Sequence, residues 1–178
     1  MIYFHNGNLL NSNCQYICHQ VNCQGKMNSG VAKAIREKWP IVYEKYRDWY
    51  IGYEAWASAH ENAEYKYQPA DAMLGSIQIV ALYKDYHKTE NHQYVINMAA
   101  QNGYGYDGRR YTSYDAFWSC LGKIKDTIPK GSSMAFPDHI GCCRGGANWE
   151  IILTMITEVL SEDYEVYIYK LEDNENDK

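Results

Sequence analysis

The sequence predicts an α/β sandwich with helices on both faces of its sheet, and two observations carry that reading. Short apolar runs alternate along the 178-residue chain with longer stretches whose apolar residues recur at helical spacing. Two of the short runs end in glycine-rich polar turns that open at once into a helix pattern. No repeat, low-complexity tract or Ser/Gly linker divides the chain, so residues 1–170 read as one domain. The acidic remainder, 171–178, is expected to be a frayed, solvated tail.

The elements follow in order. Met1-Ile2-Tyr3-Phe4 starts a strand over 1–5, and a second strand covers 16–21. Val31, Ala34, Ile35, Trp39 and Val42 set a helix over 30–50, which Pro40 kinks or divides. The segment 52–72 is the least readable: a helical continuation from Tyr53 to His60, then a loop through Pro69. Strands are expected at 73–83 and 93–98, a helix at 112–127 and a strand at 132–136. A helix at 148–160, with Asn148 as N-cap, and a strand at 164–170 complete the chain. Most of the 18 tyrosines fall inside these patterns and read as half-buried structural residues.

Composition excludes several classes. A net charge of −5 without a basic run argues against sequence-independent nucleic-acid binding. No apolar run approaches a membrane span, and no basic segment precedes the first strand as in a secretion signal. Cysteines 14, 18, 23, 120, 142 and 143 lack the paired Cys-x-x-Cys spacing of a zinc site, and they read as reduced thiols of a cytoplasmic protein. His5, His60, His87 and His92 show no metal spacing either, so no metal and no cofactor are expected.

The first glycine turn is Cys18-His19-Gln20-Val21-Asn22-Cys23-Gln24-Gly25-Lys26-Met27-Asn28-Ser29-Gly30-Val31-Ala32. Glycines let a ligand approach the backbone, and the helix N-terminus behind them favours an anion. Its amides and hydroxyls suit sugar hydroxyls better than metals. The second turn, Phe136 to Trp149, again joins a strand to a helix. Neither closes with Gly-Lys-Ser/Thr, and neither has the Rossmann spacing. A third loop, Ala99 to Tyr106, follows the fourth strand. Ligands of open α/β sheets lie beyond the carboxyl ends of the strands, so these loops should surround one cleft able to hold a dinucleotide-like diphosphate.

The residues resemble the macrodomain family, which binds ADP-ribose, over nearly the whole chain. Asn6-Gly7-Asn8-Leu9-Leu10 looks like that family's adenine-end motif. The Val-Asn…Ser-Gly-Val-Ala turn looks like its distal-ribose loop, and Ile-Gly-Cys-Cys-Arg-Gly-Gly looks like its diphosphate loop. Two branches are nearest in motif: the small yeast and phage ADP-ribose 1''-phosphate phosphatases, and the compact hydrolases that remove ADP-ribose from glutamate or DNA bases. The resemblance implies a three-layer α/β/α sandwich with a mixed, mostly parallel sheet of about six strands.

It also implies a ligand, ADP-ribose or its 1''-phosphate; the oligomeric state is open, with a monomer favoured. Asn8 and Leu9 would meet the adenine, and Asn22 and Gln24 the distal ribose. Ser29, Gly30 and Val31 would offer backbone N–H groups. Gly141, Cys142, Arg144, Gly145 and Gly146 would cradle the phosphates. Cys143 replaces a usual glycine, and Gly145 stands where many relatives carry an aromatic. Asn97-Met98-Ala99-Ala100-Gln101 lacks the lysine of the glutamate- and DNA-directed hydrolases, which argues against a lysine nucleophile. His19, Asn22 and Asp138 are the catalytic candidates, with His19 or the Asp138–His139 pair as acid or base and Arg109 and Arg110 near a terminal phosphate. The expected activity is hydrolysis of ADP-ribose 1''-phosphate to ADP-ribose and phosphate, in the host-cell cytoplasm if the chain is viral. The alternatives are a non-catalytic ADP-ribose binder and an ADP-ribosyl hydrolase using a bound water.

Overall fold

The computed structural model describes residues 1–82 and 92–171. The expected acidic tail from residue 172 on, Tyr83 of the expected third strand, and His87 lie outside them. Six strands form one sheet: β1 (Ile2–Asn6), β2 (Tyr16–Asn22), β3 (Ile77–Leu82), β4 (Gln93–Gln101), β5 (Ser133–Pro137) and β6 (Glu165–Lys170). Their order is β1-β6-β5-β2-β4-β3, with every pairing parallel except β3 against β4. β4 is buried from Val95 to Ala100, as a central strand covered on both faces must be.

The expected helix over 30–50 is two helices, α1 (Gly30–Lys38) and α2 (Pro40–His60). Proline disfavours the helical conformation in the residue before it, and Trp39 sits at φ −132°, ψ 80°. Pro40 then serves as the first residue of the next helix, where its missing N–H costs nothing. A short helix, α3 (Ala70–Met73), occupies ground assigned to loop and strand, so β3 starts at Ile77 rather than residue 73. α4 (Tyr114–Thr127) and α5 (Trp149–Leu160) begin behind capping side chains, Ser113 and Asn148.

The layers follow from alternation along the strands. Ile17 and Val21 of β2 join Val95 and Ala99 of β4 under Ile35, Val42 and Tyr46 of α1 and α2. Cys18, Ile96 and Met98 point the other way, onto Phe117 and Ile124 of α4 and Ile152 and Ile156 of α5. This is the three-layer α/β/α sandwich, with its parallel strands all ending at one edge.

Candidate functional site

A cavity of about 320 Å³ lies beyond the carboxyl ends of β2, β4 and β5, where the three predicted loops meet. The first turn is built from beneath. The Asn22 carboxamide oxygen accepts the N–H groups of Gln24 (3.0 Å) and Lys26 (3.3 Å) and the buried Tyr46 hydroxyl (2.8 Å). Its amide nitrogen donates to the Lys26 carbonyl at 2.8 Å. Asn22, expected to hold ribose hydroxyls or take part in catalysis, lines the cavity and through these bonds is also the internal frame of the turn.

The turn delivers the N-terminus of α1 to the cavity. Ser29 sits in the N-cap position yet makes no capping bond, and no acceptor among the described residues takes the N–H groups of Gly30, Val31 or Ala32. Gly30 has φ +56°, with no atom within 4 Å of where a side chain would start. Ser29, Gly30 and Val31 all line the cavity, as does Lys26, a cation that the motif reading passed over.

The second turn is tied down by its neighbours. The Gly145 carbonyl accepts the N–H groups of Tyr111 and Thr112, both at 2.9 Å, and the Thr112 hydroxyl donates to the Gly141 carbonyl at 2.8 Å. The Gln20 amide donates to Thr112 Oγ1 (2.8 Å) and Gln101 Oε1 (2.6 Å), so one side chain of β2 joins all three loops. A Cβ at Gly145 would collide with Thr112 Oγ1 and the Gly141 carbonyl, which accounts for a glycine there instead of an aromatic. The N–H groups of Gly141, Cys143, Arg144 and Gly145 have no acceptor among the described residues, and all four residues line the cavity. The helix behind this turn is closed, because Asn148 Oδ1 accepts from Glu150 N (2.8 Å) and Ile151 N (3.4 Å). Arg144 stands 4.5 Å over the Tyr106 ring, joining the second turn to the third loop.

Several expected contacts are elsewhere. Asn8 accepts the Leu10 N–H at 2.9 Å, Leu9 is buried in the core, and neither lines the cavity. Gln24 is exposed, with its amide 3.4 Å from Asn102 Oδ1, and is likewise outside the lining. Cys142 turns its thiol to the Ile140 carbonyl (3.4 Å) and packs on the core, and Gly146 closes the loop through its N–H to the Cys142 carbonyl (3.0 Å). Arg109 is paired with Asp107 at 2.7 Å and Arg110 stacks on Tyr114 at 4.4 Å; neither reaches the cavity lining.

His19 lines the cavity but is almost wholly buried. Its side chain is 1% exposed, and Nε2 bonds the Asn97 carboxamide oxygen, whose own amide donates to Gln78 Oε1 at 2.9 Å. Burial pulls the imidazole down to about 4, outweighing the Asn97 bond that favours the cation. A neutral ring whose proton is held by Asn97 has no acid to offer at neutral pH. Asp138 faces β6 through its N–H to the Tyr169 carbonyl (2.8 Å), and its Oδ2 lies 2.9 Å from His139 Nδ1. It lines the cavity at the end of β5.

All six cysteines carry free thiols. Among the described residues no cluster of three His, Cys, Asp or Glu side chains could hold a metal, and no helix is long and apolar enough to cross a membrane.

No family model and no curated protein matches the chain. Solved structures do. A Bacteroides thetaiotaomicron protein of unknown function is 29% identical, with a TM-score of 0.71 over 96% of this chain and 98% of that one. The macrodomain of Thermus aquaticus DarG is 22% identical, with a TM-score of 0.65 over 95% of this chain and 97% of that one. A Trypanosoma brucei macrodomain solved in complex with ADP-ribose is 16% identical, with a TM-score of 0.60 over 96% of this chain and 63% of that one. A mixed six-stranded sheet between helical layers, shared with such structures over nearly the whole chain, gives this protein the macrodomain fold.

Proposed function

We propose that this protein binds ADP-ribose as a monomer and hydrolyses the 1''-phosphate from ADP-ribose 1''-phosphate. The observation that carries the binding reading is the pair of backbone N–H clusters at one cavity. Unpaired N–H groups of Gly141, Cys143, Arg144 and Gly145 and of Gly30, Val31 and Ala32 belong to residues that line a single cavity. Two clusters of free N–H donors at that separation in sequence, and one in space, suit a diphosphate on the second turn and a distal ribose with its phosphate on the first. The macrodomain of the same fold that was solved with ADP-ribose supports the same ligand.

Hydrolysis needs little beyond placement, since phosphoryl transfer is driven mainly by positioning and charge stabilisation. The α1 N-terminus and Lys26 supply positive potential for the terminal phosphate, and a cavity water is the nucleophile. Lys26 stands on the first turn, not at the end of β4, where Gln101 donates to the Gly103 carbonyl at 2.8 Å. One observation favours a second reading, a binder without turnover: His19 lines the cavity but is almost wholly buried and neutral, so it offers no acid to the first turn.

Calorimetry with ADP-ribose and phosphate release from the 1''-phosphate separate these readings. Gly30→Glu fills the open approach to the α1 N-terminus with a carboxylate and should weaken ADP-ribose at least about tenfold in a folded protein. Wild-type binding without phosphate release establishes the binder. Absence of ADP-ribose binding refutes the whole assignment.

A further inference from the structure

We infer that Cys142 and Cys143 are an oxidisable pair: a hydroperoxide converts them to a disulfide between adjacent residues, which withdraws the second turn from its ligand. That last consequence rests on the reading of the ligand as ADP-ribose. The six thiols divide by access. Cys14, Cys18, Cys23 and Cys120 are buried, whereas Cys142 is half-buried and Cys143 is exposed. Cys143 lines the cavity, and the N–H groups of Cys143, Arg144 and Gly145 have no acceptor among the described residues. A small oxidant that enters the cavity therefore meets a thiol in the same loop as donors able to receive the oxygen anion it releases.

Cys142 is placed to finish the reaction rather than begin it. Its thiol donates to the Ile140 carbonyl at 3.4 Å and packs on the core. Burial pushes that thiol up to about 11, and the charges of Cys143 and Asp138 add to the effect. In the first step the Cys143 thiolate attacks the terminal peroxide oxygen and the O–O bond breaks. The leaving oxyanion takes up the proton that the thiol gave to solvent, and Cys143 is oxidised to a sulfenic acid. The Cys142 sulfur then attacks the Cys143 sulfur and the S–O bond breaks. Hydroxide leaves with the Cys142 proton as water, so two thiols are oxidised and one hydroperoxide is reduced.

The product does not fit the turn as it stands. Adjacent Cα atoms lie about 3.8 Å apart, below the roughly 4.4–6.8 Å that a disulfide spans without strain. The backbone of Cys142 has no slack to offer: its N–H is held by the His139 carbonyl at 2.9 Å, and its carbonyl by the Gly146 N–H at 3.0 Å. His139 itself is already at φ +55° and stacked on Trp149. Closing the ring loosens these bonds and re-aims the N–H groups of 143–145. The same strain makes the disulfide easy to reduce, so a dithiol restores the turn.

Peptide masses after hydrogen peroxide, with ADP-ribose calorimetry before and after, test the pair in the full chain. The wild-type peptide holding both cysteines should lose two hydrogens. ADP-ribose should weaken at least about tenfold, and dithiothreitol should reverse both changes. Cys142→Ser should stop at the sulfenic acid, trapped on Cys143 by dimedone, and Cys143→Ser should give neither product; melting curves confirm that both variants fold. A wild-type peptide that keeps its mass and both thiols after peroxide overturns the pair, whatever the ligand. A disulfide that leaves ADP-ribose affinity unchanged overturns its effect on the turn. If reduced wild type does not bind ADP-ribose, that ligand reading falls, and the mass still decides the pair.

Discussion

The two glycine turns look alike as sequence, each a strand, a polar turn and a helix, but they prepare for an anion in opposite ways. The first leaves its helix open: Ser29 heads α1 without capping it, and the turn is held from below by the buried carboxamide of Asn22. The second closes its helix with Asn148 and exposes the N–H groups of the turn itself, held from outside by Thr112 and Gln20. A helix terminus offers a few parallel donors and a dipole, which suits a compact terminal group. A loop of free N–H groups curves around its ligand and suits an extended diphosphate.

Glycine replacement should separate the two most sharply. At Gly145 a methyl group meets Thr112 Oγ1 and the Gly141 carbonyl, both fixed by hydrogen bonds, so Gly145→Ala should displace the second turn. A loss of about 2–3 kcal/mol in chemical denaturation, with loss of ADP-ribose binding, is expected. Gly30→Ala meets no atom and incurs only the left-handed backbone penalty, about 1–2 kcal/mol. Equal damage from both would mean that the turns are supported alike.

The buried polar frame beneath the first turn should also make the protein acid-sensitive. His19 has a folded value of about 4 against 6.5 unfolded, so the unfolded chain binds the proton first as pH falls. Its contribution is fully present above pH 6.5 and is lost progressively down to about pH 4. The loss is of order 3 kcal/mol, read from urea melts across that range. His19→Gln should flatten this dependence, and an unchanged slope would show that His19 is not the group responsible.

Removing the frame itself has a smaller effect. Asn22→Ala strands the N–H groups of Gln24 and Lys26 and the Tyr46 hydroxyl, two of which water can reach once the turn loosens. A destabilisation of about 2 kcal/mol is expected, with ADP-ribose affinity reduced as the turn loosens. The mildest comparison uses the two caps. Asn148→Ala should lower stability by about 1 kcal/mol, whereas Ser29→Ala should change it by no more than a few tenths, since Ser29 makes no capping bond. If Ser29→Ala matched Asn148→Ala, the first helix would be capped and its donors would not be free.

Motif order brought the three loops to one cavity, because strand ends and glycines are local features that a single sequence displays. The roles inside it were less legible. Gln20 and Thr112, which join the loops, sit in a strand and at an expected helix start, and nothing in their neighbours signals a partner far away in the chain. A polar residue within an otherwise buried strand was the one available clue to Gln20. His19 read as a candidate acid because its neighbours include an Asn-Cys turn, but Asn97, which holds its proton, is 78 residues away.

The sequence by itself determined the alternation of strands and helices, the break at Pro40, the cap at Asn148 and the three loops that gather at one edge. Each depends on residues adjacent in the chain, through propensity, steric exclusion by proline, or side chain to backbone bonds within a turn. Tertiary structure decided which N–H groups remain free, that Asn22 frames a turn, that His19 stays neutral, and that His139 stands strained against Trp149 at the cavity wall. Those outcomes depend on hydrogen-bond partners and burial brought together by the sheet order, in which β2 lies beside β4 and β5 rather than beside its neighbours in sequence.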